Sequence, residues 1–159
     1  DLARSDVPDI QLAIGGSGRD HKRLKNISKK LGLPVSFLGR VDDSDLSATF
    51  GMSDLFVMPC RNRWAVLEQE GFGIVFIEAA GCGVAQIAGR SGGAHEAVED
   101  ELSGLIIDRP EDEHQLAEMI TSLLRDPAKR RSMASYGRKR SETLFSYDVL
   151  AEQLESALS

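Results

Sequence analysis

The chain has 159 residues, 42% apolar and 28% charged, the make-up of one globular domain rather than of a disordered, collagenous or coiled-coil protein. A net charge of −6 argues against a nucleic-acid role, because a phosphate backbone rewards a positive surface. No apolar run approaches the roughly 18 residues that span a bilayer, no secretory signal pattern opens the chain, and the two cysteines, Cys60 and Cys82, form neither a disulfide framework nor a zinc site, so the expected setting is the cytoplasm.

Strand-like and helix-like stretches alternate along the chain. Residues 10–14, Ile-Gln-Leu-Ala-Ile, read as a strand that ends in Gly15-Gly16-Ser17-Gly18. Leu24, Ile27 and Leu31 fall at helical spacing within 20–31, and Gly32 stops that helix. A second strand occupies 35–38, and Asp43 or Ser44 is positioned to cap a helix running to about Ser53, with Leu46 and Phe50 inward. Leu55 to Met58 is a third strand, ended by Pro59, and a polar loop with Arg61, Arg63 and Trp64 follows. A short apolar helix spans 74–80, and further strands cover 84–88 and 105–107, the fourth followed by the turn Ser91-Gly92-Gly93. From about 112 to 159 the chain is helical: Leu116, Ile120, Leu123 and Leu124 form one stripe, Asp126-Pro127 restarts the chain, and Ser146 caps a last helix carrying Leu150, Leu154 and Leu158. Continuous apolar strands alternating with helices predict an α/β fold, a Rossmann-like doubly wound parallel sheet covered on both faces. Its ligand belongs at the carboxyl ends of the strands.

The informative segment is Glu70-Gly71-Phe72-Gly73-Ile74-Val75-Phe76-Ile77-Glu78. Gly71 and Gly73 allow a backbone close to a ligand, and a helix starting near Ile74 leaves the amides of Gly73, Ile74 and Val75 free at the positive end of its dipole, an anion site suited to phosphate. Glu78 is a lone charge in an apolar run, so it is expected to accept from donors such as a ribose diol. Glu70, at the mouth of the turn, is placed to meet a hydroxyl of a second sugar. The competing reading pairs Glu78 with a buried Arg or a neighbouring helix end and leaves the glycines as a plain turn.

This stretch resembles the Glu-x7-Glu signature of retaining glycosyltransferases with the GT-B fold, family 4. The flanks agree: Phe37-Leu38-Gly39-Arg40-Val41, Ser53-Asp54-Leu55-Phe56-Val57-Met58-Pro59 and Ser91-Gly92-Gly93-Ala94. The similarity covers nearly the whole chain and is nearest to bacterial mannosyltransferases acting on phosphatidylinositol mannosides. It implies that Glu70, the catalytic residue, contacts the transferred sugar together with Gly71 and the amides of Phe72 and Gly73. It further implies that the amides of Ile74 and Val75 meet the diphosphate, that Glu78 holds the ribose, and that the backbone of Val41 meets the base. Asp43 matches an acidic position able to accept from guanine, which favours GDP-mannose over a UDP- or ADP-sugar. The implied activity is mannosyl transfer to a lipid or glycan, with no metal and no cofactor beyond the sugar nucleotide.

Other signals read as structural. Gly15-Gly16-Ser17-Gly18 lacks the third glycine of a dinucleotide fingerprint, since His21 stands there. Asp43-Ser44-Asp45 imitates an Asp-x-Asp metal motif, but acids at a helix start serve capping and dipole roles. His21, His95 and His114 have no ligand spacing and read as surface residues. Lys129-Arg130-Arg131 and Arg138-Lys139-Arg140 read as a solvated helix face, with an anionic membrane surface as the alternative that would place the full protein peripherally at the inner face.

In the resembling family this domain opens with a strand, a loop carrying Arg and Lys, and a helix, and a second Rossmann domain binds the acceptor. The chain begins at the end of that helix, so the expectation is a single partial domain over 1–159. It would be a proteolytic remnant, an engineered piece or one part of a split structure, inactive alone, with a gap in its sheet where the first strand belongs. The rival class is a non-catalytic α/β module that binds a partner or scaffolds.

Overall fold

A computed structural model describes residues 2–61 and 70–158. After a single turn of 3-10 helix at Leu2–Ser5, the elements are β1 (Leu12–Gly15), α1 (His21–Leu31), β2 (Val35–Gly39), α2 (Asp43–Gly51), β3 (Leu55–Met58), α3 (Ile74–Gly81) and β4 (Ala85–Gly89). They continue with α4 (Ala94–Ala97), β5 (Gly104–Ile107), α5 (Glu113–Arg125), α6 (Pro127–Leu144) and α7 (Tyr147–Leu158). Arg63 and Trp64 of the expected polar loop lie outside the described residues.

All strand pairing is parallel, but the strands form two sheets: β1 with β2, and β3-β4-β5 with β4 central. No ladder joins β1 to β3 among the described residues.

The three-stranded sheet is the centre of the molecule. One face packs Phe56, Met58, Ala88 and Ile106 against Phe76 of α3 and Ala94 and Ala97 of α4. The other packs Val57, Ala85, Ile87, Leu105 and Ile107 against Leu116, Ile120 and Leu123 of α5 and Met133 of α6. Burial on both faces explains why these strands read as continuous apolar runs.

Several boundaries move from the expected ones. β1 starts at Leu12 rather than residue 10, and β4 runs Ala85–Gly89. The N-cap of α2 is Asp42, not Asp43 or Ser44, and its side chain makes no capping bond, so Asp43 is the first helical residue. The short helix α4 grows from what reads as a plain turn. Gly32 ends α1 in the left-handed conformation, and Asp126 caps α6 through the Lys129 N–H at 2.9 Å, both as expected.

Lys129, Arg131, Arg138 and Lys139 of the basic clusters are exposed, as a solvated face requires, but Arg130 and Arg140 are not. Arg130 is only 17% exposed, pairs with Asp54 at 2.9 Å and donates to the Leu123 and Leu124 carbonyls that end α5. Arg140 pairs with Glu99 at 3.3 Å and donates to the Glu96 and Ala97 carbonyls at the end of α4. Lys129 pairs with Glu101 and Arg138 with Glu142. Lys129, Arg130 and Arg140 thus fasten α6 to the rest of the domain, while the Arg138 pair lies within the helix. No helix among the described residues is long and apolar enough to cross a membrane.

Candidate functional site

The Glu70 segment lies between the carboxyl end of β3 and the start of α3, beside the turn that leaves β4. Gly73 is its pivot: φ is +78°, a conformation costly for other residues, and a Cβ there would lie 2.6 Å from the Phe76 ring. Phe76 is fully buried and meets Phe56 edge-on at 5.6 Å, so the start of α3 is pinned to the sheet. No side chain caps α3, whose N-cap is Gly73. The first amides of the helix therefore have no partner within it and carry the positive end of the dipole.

Glu70 is half-buried and belongs to this helix start. Its Cγ lies 3.7 Å from where a Gly73 Cβ would sit, so the side chain passes close to the N-cap of α3. Its backbone N–H donates to the Ser91 hydroxyl at 3.1 Å. The Gly93 N–H donates to the carbonyls of Gly71 at 2.7 Å and Glu70 at 3.3 Å. Phe72, half-buried, packs its ring 5.4 Å from Phe145 at the end of α6, and the Arg140 guanidinium stacks over that second ring at 4.8 Å.

Cys60, just after β3, donates to the Gly89 carbonyl at 3.5 Å. Burial pushes its thiol above the ordinary range, the bond to Gly89 opposes this, and the Glu70 carboxylate raises it further. Cys60 and Cys82 are both free thiols.

Glu78 corrects the sequence reading. Its apolar neighbours predict an embedded side chain, but it is exposed on the second turn of α3. Phe76, Ala79 and Ala80 turn inward, while Glu78 shares the outward face with Ile74, which is 66% exposed. An exposed carboxylate needs no buried partner, and among the described residues Glu78 has no ion pair. The reading that pairs it with a buried Arg loses its physical motive.

The remaining expected contacts, Val41 and Asp43, lie between β2 and the first turn of α2. Val41 follows β2 and packs over Gly15 at the carboxyl end of β1, with its Cγ2 3.6 Å from where a Cβ would be. Asp43 is exposed in the first turn of α2. That helix packs Leu46 and Phe50 towards Val75 and Ala79 of α3, yet no hydrogen bond links Val41 or Asp43 to the 70–75 segment among the described residues. His95 and His114 are exposed, whereas His21 is half-buried against the Phe37 ring at 5.2 Å, contrary to its surface reading. Among the described residues no three His, Cys, Asp or Glu side chains gather as a metal site.

What sequence reasoning passed over is the hold that Ser91, Gly92 and Gly93 have on Glu70. The only signal was a glycine pair directly after a strand, legible as a turn but not as a contact across 21 positions of sequence.

The model of the family described as "Glycosyl transferases group 1" matches residues 1–140. The chain belongs to the group 1 glycosyl transferases. A similar relative is a Corynebacterium glutamicum protein described as a GDP-mannose-dependent monoacylated alpha-(1-6)-phosphatidylinositol monomannoside mannosyltransferase. It is 40% identical over 151 residues, covering 95% of this chain and 39% of that protein. Among solved structures, the sucrose-phosphate synthase of Thermosynechococcus elongatus superposes with a TM-score of 0.83 at 30% identity, over 98% of this chain and 39% of that one. Anabaena HepE in complex with UDP-glucose superposes with a TM-score of 0.81 at 25% identity, over 99% and 44%. The group 1 fold accounts for the mixed α/β layers and parallel sheets. The chain thus spans about two fifths of the length of these relatives.

Proposed function

We propose that this chain is the sugar-nucleotide-binding part of a retaining mannosyltransferase that uses GDP-mannose and acts on a lipid or glycan acceptor. The observation that carries the reading is Glu70 lying against the uncapped N-terminus of α3, a carboxylate for sugar hydroxyls beside amides for a diphosphate. The amides of Ile74 and Val75 would stabilise charge growing on the leaving diphosphate, a role that needs donors already oriented before the bond breaks. Glu70, with Gly71 and the Phe72 and Gly73 amides, would orient the mannosyl group rather than attack it. Glu78, open on the same helix, would accept from the ribose diol. The Val41 backbone would meet the base, and Asp43 would select guanine. No step is assigned to a metal. Acceptor contacts would come from a second domain, and a lipid acceptor would place the whole protein in the cytoplasm against the inner membrane face.

A UDP-sugar donor is the second reading, favoured by the likeness to a structure solved with UDP-glucose. Calorimetric titration of the full-length protein with GDP, UDP and GDP-mannose separates the two. GDP and GDP-mannose should bind and UDP should bind more weakly. Tight UDP binding overturns the guanine assignment alone, and binding of none of them favours a non-catalytic module. Glu78→Gln should weaken GDP binding roughly tenfold, as expected for losing hydrogen bonds to a charged acceptor. An unchanged affinity removes Glu78 from the ribose.

A further inference from the structure

Ser91, only 1% exposed, accepts from the Glu70 amide, while the Glu70 carbonyl accepts from Gly93. Both polar backbone groups of Glu70 are thus held by one turn. The approach leaves no room for side chains: a Cβ on Gly92 would lie 1.6 Å from the Glu70 carbonyl oxygen, and one on Gly93 2.4 Å from that of Gly71. Gly92 also has φ of +50°. The turn itself is anchored by β4, whose residues are buried throughout, and by the Ala94 N–H donating to the Ser91 carbonyl at 3.1 Å.

We propose that Ser91-Gly92-Gly93 is the positioning element for Glu70, setting its backbone so that the carboxylate faces the hexose of the donor. The inference rests on the reading of Glu70 as the sugar contact. It separates two parts of donor binding. The amides of α3 and Glu78 are placed mainly by the burial of Phe76, Ala79 and Ala80, and no hydrogen bond from Ser91, Gly92 or Gly93 reaches residues 74–81 among the described residues. Disturbing the turn therefore costs sugar recognition and spares nucleotide recognition.

The test compares GDP and GDP-mannose affinities by calorimetry in the full-length protein, for the parent, Ser91→Ala, Gly92→Ala and Glu70→Gln. Ser91→Ala should lower the ratio of GDP-mannose to GDP affinity roughly three- to tenfold, the range for one lost hydrogen bond. Gly92→Ala should lower it at least as far, and Glu70→Gln sets the full loss. If Gly92→Ala does not fold, Ser91→Ala decides alone. A normal ratio in Ser91→Ala beside a lowered one in Glu70→Gln overturns the positioning role and leaves the sugar contact standing. Equal weakening towards both ligands in Ser91→Ala also overturns it, reducing the turn to a support of the fold. A normal ratio in Glu70→Gln removes the sugar contact, and the inference falls with it.

Discussion

The β-α-β pattern is built twice in this chain, once almost bare and once sealed. In β1-α1-β2 no residue is buried, and Leu12 and Leu31 are 52% and 51% exposed. In β3-β4-β5 every position of β4 and β5 is buried between α3 and α4 on one face and α5 and α6 on the other. The contrast does not lie in local pattern. Both α1 and α5 carry an apolar stripe at helical spacing, yet α1 buries nothing and α5 buries Thr121 and Leu123. An amphipathic pattern makes an element ready to be covered, and burial follows only where other elements supply the cover on both faces. Glu70, α3 and the turn at Ser91 lie on the sealed unit, whereas Val41 follows the bare one and Asp43 opens α2, which packs on α3.

The largest test of this contrast is a matched pair of truncations. Phe76→Ala should destabilise the protein by about 3–5 kcal/mol, the usual cost of emptying a core aromatic site. Phe37→Ala, in the half-buried ring contact with His21, should cost about 1–2 kcal/mol because less area leaves water there. Equal losses in urea unfolding would erase the distinction between the two units.

Within the sealed unit, Gln86 is the flaw. Its amide is fully buried on the central strand, and neither its oxygen nor its nitrogen has a hydrogen-bond partner among the described residues. Gln86→Met keeps the length of the side chain and removes the orphaned groups, so it should stabilise by about 1–2 kcal/mol. A lower melting temperature would mean that the amide is satisfied in solution.

The smallest effect concerns α5, which covers that sheet. Its N-cap Asp112 accepts from the Gln115 N–H at 3.0 Å, which holds the carboxyl below its ordinary 3.8 against slight desolvation, with Arg109 adding to the lowering. A depressed native pKa means stability that is complete above the unfolded value and is lost as pH falls through the native one. The contribution should therefore fade below about pH 4. Asp112→Asn should flatten that part of the acid unfolding curve, and an unchanged curve would show the cap to be indifferent to charge.

The legible part of the fold came from periodicity and punctuation. Leu24, Ile27 and Leu31 with Gly32 located α1 to within a residue, and Asp126-Pro127 located the start of α6, because caps and turns are local chemistry. Glu78 and Arg130 show the limit. An apolar neighbourhood in sequence suggested that Glu78 was embedded, but the helix turned it outward. A charge run suggested that Arg130 was solvated, but α6 laid it across the end of α5. One residue of rotation on a helix decides such cases, and composition carries no rotation.

The sequence by itself determined the alternation of elements, the glycine turn and the family signature of Glu70 and Glu78, all of which depend on residues within about two turns of one another. Tertiary structure alone decided which β-α-β unit is buried, which way Glu78 points, and that Ser91 and Gly93 hold the backbone of Glu70. Those outcomes depend on groups brought together from distant positions, where packing and hydrogen-bond geometry act and local pattern has no reach.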